Sequence, residues 1–485
     1  MVSSLFVRSA HANGPLGGNG DPIATSAYSI DLYQGSVSAG NRVMGLGGAY
    51  VALAEDVDGD LQNPAAPAVR PFFSIENFDY WLGLGLTFPA GVSRIDFFNS
   101  GSETGFRGSA DEPIFFTPAL NLQWGTFGVG FTIEFSNYGF QNDAQSSVAQ
   151  DMPASAALEA VLQTYHVQIA NSFFDGQLIA GIGLRYLTMT LDAGLDSGDT
   201  QTLFDTSGSG IEMGFVVRPN FQRYRIGAAF RTAIDTQPSF SRNLLPDERG
   251  DIVVPNGGGM LFLPERVSLP WDVNVGAALQ LGKRPLNPLS RTVQQVAERE
   301  TLTFRLRQID RDEERQRRLA EANTPSERAA VEHELGREER FDSERLARAY
   351  EAARSALADS FAEVGRTYLL LTASLLVSGR VRDGVGVESF LDQKVNRSGA
   401  SVVFSPRFGA EAEVWENRLK TRGGVYLEPT RFATSTPRMH GTLGVDLRLF
   451  RWDVFGLWPD DFMWQVGGSV DVARRYLTWG VSIGG

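Results

Sequence analysis

The histidines at positions 11, 166, 333 and 440 are the side chains best suited to hold a metal or move a proton, yet no two are spaced as paired ligands. Cysteine is absent, which removes thiolate ligands, thiol nucleophiles and disulfides. No P-loop, no G-x-S-x-G and no H-E-x-x-H occurs. Gly45-Leu46-Gly47-Gly48 is Gly-rich but has no strand-loop-helix setting for a dinucleotide. Asp56, Asp58 and Asp60 are spaced like calcium-loop ligands, but Gly59 is misplaced and Pro67 stands where the loop needs a Glu. The expectation is a protein that is not an enzyme, with no catalytic residue, no metal and no cofactor. What remains is the chemistry of charge, carried by carboxylates and guanidinium groups along extended segments.

Those charges fall on one side of segments that alternate with period two. Phe127, Val129, Phe131, Ile133 and Phe135 oppose Gly128, Gly130, Thr132, Glu134 and Ser136. Ile211, Met213, Phe215 and Val217 oppose Glu212, Gly214, Val216 and Arg218. Similar patterns cover 271–281, 443–449, 464–472 and 477–483, with Gln465, Gly467, Ser469 and Asp471 on one polar face. Many segments run about ten residues, the length of a tilted membrane strand, where a soluble sandwich uses about five or six. Trp124, Tyr138, Tyr224, Trp271, Tyr368, Trp415 and Tyr476 sit at segment ends, as interfacial girdles do. No run of about 20 apolar residues offers a membrane helix. The fold expected is all-β, a transmembrane antiparallel barrel of about 14 strands.

The composition agrees. The 485 residues include 52 Gly and 32 Phe, with 44 basic and 57 acidic residues for a net charge of −13. An acidic chain argues against nucleic acid as a partner. Small or charged residues opposite the aliphatics suit a polar lumen. Its expected lining is Glu134, Arg185, Glu212, Arg225, Arg231, Asp272, Arg407, Glu411, Arg418, Arg422 and Asp446, together with Lys420 and Glu413. Such charges pair with one another, or meet the head group of an amphipathic molecule.

Short turns belong at the periplasmic end and long loops outside. Gly125-Thr126, Asp175-Gly176, Asn220 to Gln222 and Glu416-Asn417 are short turns, while 89–114, 139–162, 192–208, 235–265 and 383–398 are long connections. Residues 291–366 hold 15 basic and 17 acidic residues and read as a helical hairpin. By strand parity this insertion is periplasmic, a solvated spacer or an arm for a periplasmic protein partner. The division expected is 1–12 as a signal-peptide remnant or disordered tail and 13–70 as an N-terminal lead, Gly-rich and flexible over 14–21, with a lumenal hatch. Barrel strands one to eight then take 71–285, the helical insertion 286–365, and strands nine to fourteen 366–485.

Ahead of the first strand stands Arg42-Val-Met-Gly45-Leu-Gly47-Gly48-Ala49-Tyr50-Val-Ala52-Leu-Ala54-Glu55-Asp56, followed by Asn63-Pro64-Ala65. This resembles the N-terminal signature of FadL-type outer-membrane transporters of hydrophobic compounds, and equally the PorV-like branch of that superfamily. The resemblance implies a bacterial outer-membrane barrel of fourteen strands with a hatch in its lumen. Its hatch residues here are Gly45, Gly47, Gly48, Ala49, Tyr50, Glu55, Asp56, Asn63, Pro64 and Ala65. It also implies a Gram-negative cell, outer-membrane lipid around the barrel, and a hydrophobic or amphipathic small molecule, such as a fatty acid, as cargo. The PorV-like alternative is a scaffold that binds secretion or surface-attachment partners. Gly484-Gly485 depart from the terminal aromatic residue usual in such barrels.

Overall fold

The structure is a computed structural model that describes residues 16–37, 39–70, 74–88, 96–101, 115–141, 157–194, 200–240, 246–256, 259–289, 291–362, 364, 367–451 and 463–484. The expected signal-peptide remnant, residues 1–12, lies outside the described residues.

Fourteen strands close into an antiparallel barrel. In chain order they are β1 (Phe78–Phe88), β2 (Phe115–Trp124), β3 (Phe127–Gln141), β4 (Ala157–Phe173), β5 (Leu178–Gly194), β6 (Thr200–Val217), β7 (Tyr224–Arg231) and β8 (Asp272–Gly282). They continue as β9 (Tyr368–Ser378), β10 (Val403–Trp415), β11 (Leu419–Glu428), β12 (Arg438–Arg451), β13 (Met463–Ala473) and β14 (Tyr476–Gly484). Each strand pairs with its neighbours in sequence, and β1 closes on β14 from Gly83↔Gly484 to Phe88↔Trp479. Closure leaves no free sheet edge, which the hydrocarbon of a bilayer requires. The outward side chains form an apolar belt that includes Val167, Ile182, Leu184, Ile211, Leu371, Phe408 and Leu443, all exposed. An apolar surface of that extent is stable in lipid and not in water.

Trp124, Tyr224 and Trp415 face outward at strand ends, as expected of a girdle. Tyr368 and Tyr476 do not; both are buried and point into the lumen, because the alternation places Leu369 and Leu477 on the other face. A second difference concerns 192–208. The strands run on to Gly194 and from Thr200, so the connection shrinks to 195–199. The sequence hides this because a strand above the bilayer needs no apolar outward face, and here Thr202, Asp205 and Ser207 point out while Leu203 and Thr206 are buried.

Of the stretch 14–21 expected to be flexible, 14 and 15 lie outside the described residues, and Leu16 is buried. Ser29–Asp31 forms the central strand of a five-stranded sheet at the long-loop end, parallel to Arg266–Leu269 and to Gly384–Gly386. Leu16, Ile23, Tyr28, Ile30 and Leu32 enter an apolar core with Leu191, Phe204, Val385 and Phe390. The Asp31 carboxylate is 2.8 Å from Arg431 Nε and accepts the Ser398 hydroxyl at 2.6 Å. From this cap the chain descends through the barrel. Helix α1 (Asn41–Gly45) packs on β12 and β13, and the turn Ala66–Ala68 packs on β3 and β4.

The wall is glycine-rich where this inner segment passes. A side chain at Gly181 would collide with the Pro64 carbonyl, one at Gly128 with the Pro67 carbonyl, and one at Gly214 with the Asn63 side chain.

The charged insertion leaves the short-turn end, between β8 and β9. Helix α2 (Val293–Val296) starts at a capping box of Thr292 and Gln295. The hairpin proper is α3 (Glu298–Glu321) and α4 (Pro325–Ala362). Thr324 caps α4 through the Glu327 N–H, while Glu327 accepts the Asn323 and Thr324 N–H groups. At about 1.5 Å per residue, α4 is about 57 Å long. The helices are crosslinked by Arg307–Asp342 at 2.7 Å and Arg318–Glu334 at 2.6 Å. Ala297 and Ala353 are buried between them at the barrel end. Leu302, Leu306 and Ile309 are exposed and lie on the face of α3 turned away from α4.

Strand parity puts the α3–α4 tip and the 379–402 connection on opposite sides of the membrane. Single cysteines at Ala329 and Ser401, both exposed, test it with an impermeant maleimide on intact cells. Ser401→Cys should label and Ala329→Cys should not; the reverse pattern would mean the orientation is inverted.

Candidate functional site

The segment inside the barrel is held by a chain of alternating charges. Asp446 pairs with Arg422, Arg422 with Glu411, Glu411 with Arg42, Arg42 with Glu55, and Glu55 with Arg225. The Arg42 guanidinium is 2.9 Å from both Glu411 and Glu55, and it donates to the Tyr50 hydroxyl at 2.8 Å. Tyr50 in turn donates to the Glu55 carbonyl at 3.0 Å. Arg225 reaches Glu55 at 2.7 Å and donates to the Leu53 and Leu286 carbonyls. The charges alternate in sign, and two of the links, Glu411–Arg42 and Glu55–Arg225, join the wall to the inner segment. Burial alone would raise the Glu55 pKa, but Arg225 and Arg42 outweigh it and hold it down at about 2.

Local geometry explains the motif around Arg42. Gly47 and Gly48 have φ of 61° and 76°, which places Ala49 and Tyr50 back under Arg42. Gly45 packs against Gly444 and Arg422 of the wall. Asn63 is fully buried; its amide donates to the Val51 carbonyl at 2.8 Å and to the Phe215 carbonyl of β6 at 3.0 Å, while its oxygen accepts the Ala65 N–H. Pro64 keeps Asn63 out of helical geometry. These are the contacts of a segment fixed to the wall.

A second cluster lies on β3 to β8. His166 sits between Glu134 and Glu212 at 3.2 Å from each, and Arg231 bridges Glu212 and Asp272. Asp60 is fully buried beside it and accepts from Asn121 and Thr132, both at 3.0 Å. Burial, the dominant cause, and the nearby Glu212 push the Asp60 pKa up to about 8, against the pull of those two donors and His166.

A third cluster joins the wall to the cap. His440 is 2.8 Å from Asp471 and 2.6 Å from Glu428, and Tyr426 donates to Asp471 at 2.5 Å. Arg438 pairs with Glu428 and donates to the Phe97 carbonyl.

Of the side chains expected in the lumen, Glu134, Glu212, Arg225, Arg231, Asp272, Glu411, Arg422 and Asp446 belong to these networks. Arg185 is buried and donates to the Thr232 carbonyl, and Arg407 is buried beside Ser405 and Tyr426. Arg418 is elsewhere: it lies in the turn after β10 and donates to the Leu449 carbonyl. Sequence reading did not nominate Asp31, Arg42, Glu428, His440 or Asp471 as site residues. His440 shares the inward phase of Asp446, and Asp471 that of Gln465, so the alternation held that signal.

Beside the inner segment, at the short-turn end, is a cavity of about 400 Å³ lined by Arg42, Asp56, Asp58, Lys420 and Arg448, among others. On the outer face of the wall lies an apolar cleft of about 360 Å³ formed by Leu82, Leu84, Pro118, Phe131, Ile133 and Trp464 with their neighbours. Cavity and cleft share Leu82, Gly83, Leu84, Ala119, Ile483 and Gly484. The β2–β3 ladder is interrupted at this place. It runs from Phe115↔Ser136 to Phe116↔Phe135, omits Thr117 and Pro118, and resumes at Ala119↔Thr132 in unchanged register. Pro118 has no N–H to give the ladder.

By sequence, the chain matches no protein-family profile and no curated protein. Among solved structures it is similar to a FadL homologue of Pseudomonas aeruginosa, with 10% identity over 93% of this chain and 98% of that one, at a TM-score of 0.47. It is similar to the toluene transporter TodX of P. putida, with 9% identity over 93% and 97% and a TM-score of 0.46. The monoaromatic hydrocarbon channel CymD gives 9% identity over 92% and 96% and a TM-score of 0.45.

The charge networks generate two expected outcomes. Arg42→Met removes the cation that Glu411 and Glu55 share, leaving Glu411 to Arg422 and Glu55 to Arg225 with one buried negative charge in excess; breaking a buried pair in this way costs about 3–5 kcal/mol. The variant should show a severalfold larger conductance in planar bilayers while keeping its heat-modifiable barrel; unaltered conductance would mean the inner segment does not hang on this link. The second concerns pH. A carboxyl raised from an ordinary value near 3.8 to about 8 holds its proton longer in the folded state. Its contribution to stability therefore falls as pH rises between about 4 and 8 and levels off above. Asp60→Asn should gain thermal stability relative to the parent chain across that window, with the gap constant above about pH 8. A gap independent of pH from about 5 to about 8 would contradict the assignment.

Proposed function

We propose that the chain is a bacterial outer-membrane barrel that admits hydrophobic or amphipathic small molecules. The segment 41–65 acts as its hatch, and the interruption at Pro118 is its route through the wall. The observation that carries this reading is the shared lining of the polar cavity and the apolar cleft at that interruption. A molecule held beside the hatch has there a short path to lipid without passing the charge networks. A barrel serving only as a scaffold for secretion partners has no use for such a gap, so the geometry favours transport over the scaffold reading.

The orientation proposed follows the turns, with the short-turn end and the α3–α4 hairpin in the periplasm and the cap outside. In this orientation residues 286–365 form a mixed-charge arm, available to a periplasmic protein partner. Residues 41–65 close the lumen between the cap and the periplasmic cavity, and the domain division at 70/71, 285/286 and 365/366 separates lead and hatch, barrel and arm.

Pro118→Val tests the route. Valine supplies the missing N–H and a side chain suited to strands, so the ladder should close. Cells lacking other hydrophobic channels and carrying this variant should take up labelled toluene and oleate severalfold more slowly than cells with the parent chain. Equal uptake rates at equal surface expression would remove the wall route from the mechanism.

A further inference from the structure

The cavity is richer in charge than a hydrophobic cargo needs. Most of its charged lining is already engaged. Arg42 and Glu55 belong to the charge chain, Asp446 is held by Arg422 and Gln465, and Asp79 by Arg70. Arg284 lies 3.5 Å from Glu413, and Arg448 donates to Asn417 at 2.7 Å. Lys420 differs: it projects from β11 into the cavity with no ion pair or hydrogen bond among the described residues. Two carboxylates on the hatch side are also under-used. Among the described residues Asp58 accepts only the Arg42 backbone N–H, at 3.3 Å. Asp56 is 3.5 Å from Arg42, with its side chain 43% exposed, and lies within electrostatic reach of Lys420. Among the described residues the cavity thus offers one free cation and two weakly held anions, and it opens beside an apolar cleft on the lipid-facing wall.

We propose that cavity and cleft together bind a zwitterionic phospholipid of the adjoining leaflet, its phosphate at Lys420, its ammonium at Asp56 and Asp58, and its acyl chains in the cleft. A hydrocarbon leaves all three charges unanswered. A fatty acid answers Lys420 and leaves the two carboxylates, and an anionic phospholipid sets its remaining polar head against them. A head group carrying both signs satisfies each side with charge-assisted hydrogen bonds. The volumes of about 400 and 360 Å³ fall in the range of about 300–1,000 Å³ usual for ligand pockets. Leu82, Leu84, Phe131 and Ile133 give the chains a surface continuous with the apolar belt. The proposal rests on the transport reading for the open wall at Pro118, and it adds a lipid that occupies the opening and that cargo must pass or displace.

The test uses the full-length barrel, purified in mild detergent, stripped of lipid, and titrated separately with dioleoylphosphatidylethanolamine, dioleoylphosphatidylglycerol and oleate under native mass spectrometry. The parent chain should retain one phosphatidylethanolamine, with at least about fivefold preference over the other two, the scale of one charge-assisted bond. Lys420→Met and the double variant Asp56→Asn/Asp58→Asn should each lose that preference while the heat-modifiable barrel persists. If either fails to fold, the other carries the comparison. Equal retention of phosphatidylethanolamine and phosphatidylglycerol by the parent chain, or an undiminished preference in the folded variants, would overturn the proposal and leave an annular lipid in the cleft. Toluene and oleate uptake by the same variants separates the two readings. Selective lipid binding with no uptake by the parent chain defeats transport alone, whereas uptake without selective binding defeats the lipid site alone.

Discussion

The Arg42 guanidinium, buried between a wall carboxylate and a carboxylate of its own segment, is the contact on which the interior depends. Without it Glu411 keeps Arg422 and Glu55 keeps Arg225, but the interior holds one negative charge in excess, and an uncompensated buried charge costs several kcal/mol. Arg422 and Arg225 extend the pairing on either side, so the chain of charges alternates across four wall strands and the hatch. Where the inner segment sits then decides what space is left over. The cavity at the short-turn end is the volume that the inner segment does not fill, and the charges there that lack a close partner among the described residues are those that the chain of pairs does not consume.

The two ends of the lumen are built from different materials. At the long-loop end the lead and the loops make an apolar core around Ile30, Phe204 and Phe390, closed by a short parallel sheet and by the buried Asp31–Arg431 pair. At the short-turn end the lining is polar. Between them the clusters at His166 and His440 tie wall strands to one another and to the segments that cross the lumen. A molecule moving along the axis would have to part both; the sideways route proposed at Pro118 meets neither.

The high glycine content has a matching cause. Hatch backbone runs against wall backbone at Gly128, Gly181, Gly214 and Gly227, where any side chain would strike a carbonyl, an amide or the Asn63 side chain. Backbone groups in the lumen then find partners directly, as Gln168 does with the Asp60 carbonyl and Thr442 with the Gly45 carbonyl. Glycine in these strands serves contact with the hatch more than strand formation, which it weakens.

Period-two alternation is a local property, and the sequence by itself determined its direct consequences: about fourteen antiparallel strands, their lipid-facing residues, and inward positions such as Glu212, Glu411 and Asp446. It failed where the outward face leaves the bilayer, as at Thr202 to Ser207, because water imposes no apolar pattern there. It misassigned Tyr368 and Tyr476, since an aromatic residue at a strand end serves a girdle or a lumen according to phase. Arg418 went wrong because it belongs to the turn between β10 and β11, where strand phase does not apply. Partner choice was beyond it altogether. Arg42 lies 369 positions from Glu411, and Asp31 lies 400 from Arg431. No spacing rule links such residues, because what joins them is barrel closure around a threaded N-terminal segment. Only the tertiary structure decided those pairs, the packing of the lead, and the lack of a partner for Lys420 among the described residues, since each depends on how the inner segment fills a space that fourteen distant strands enclose.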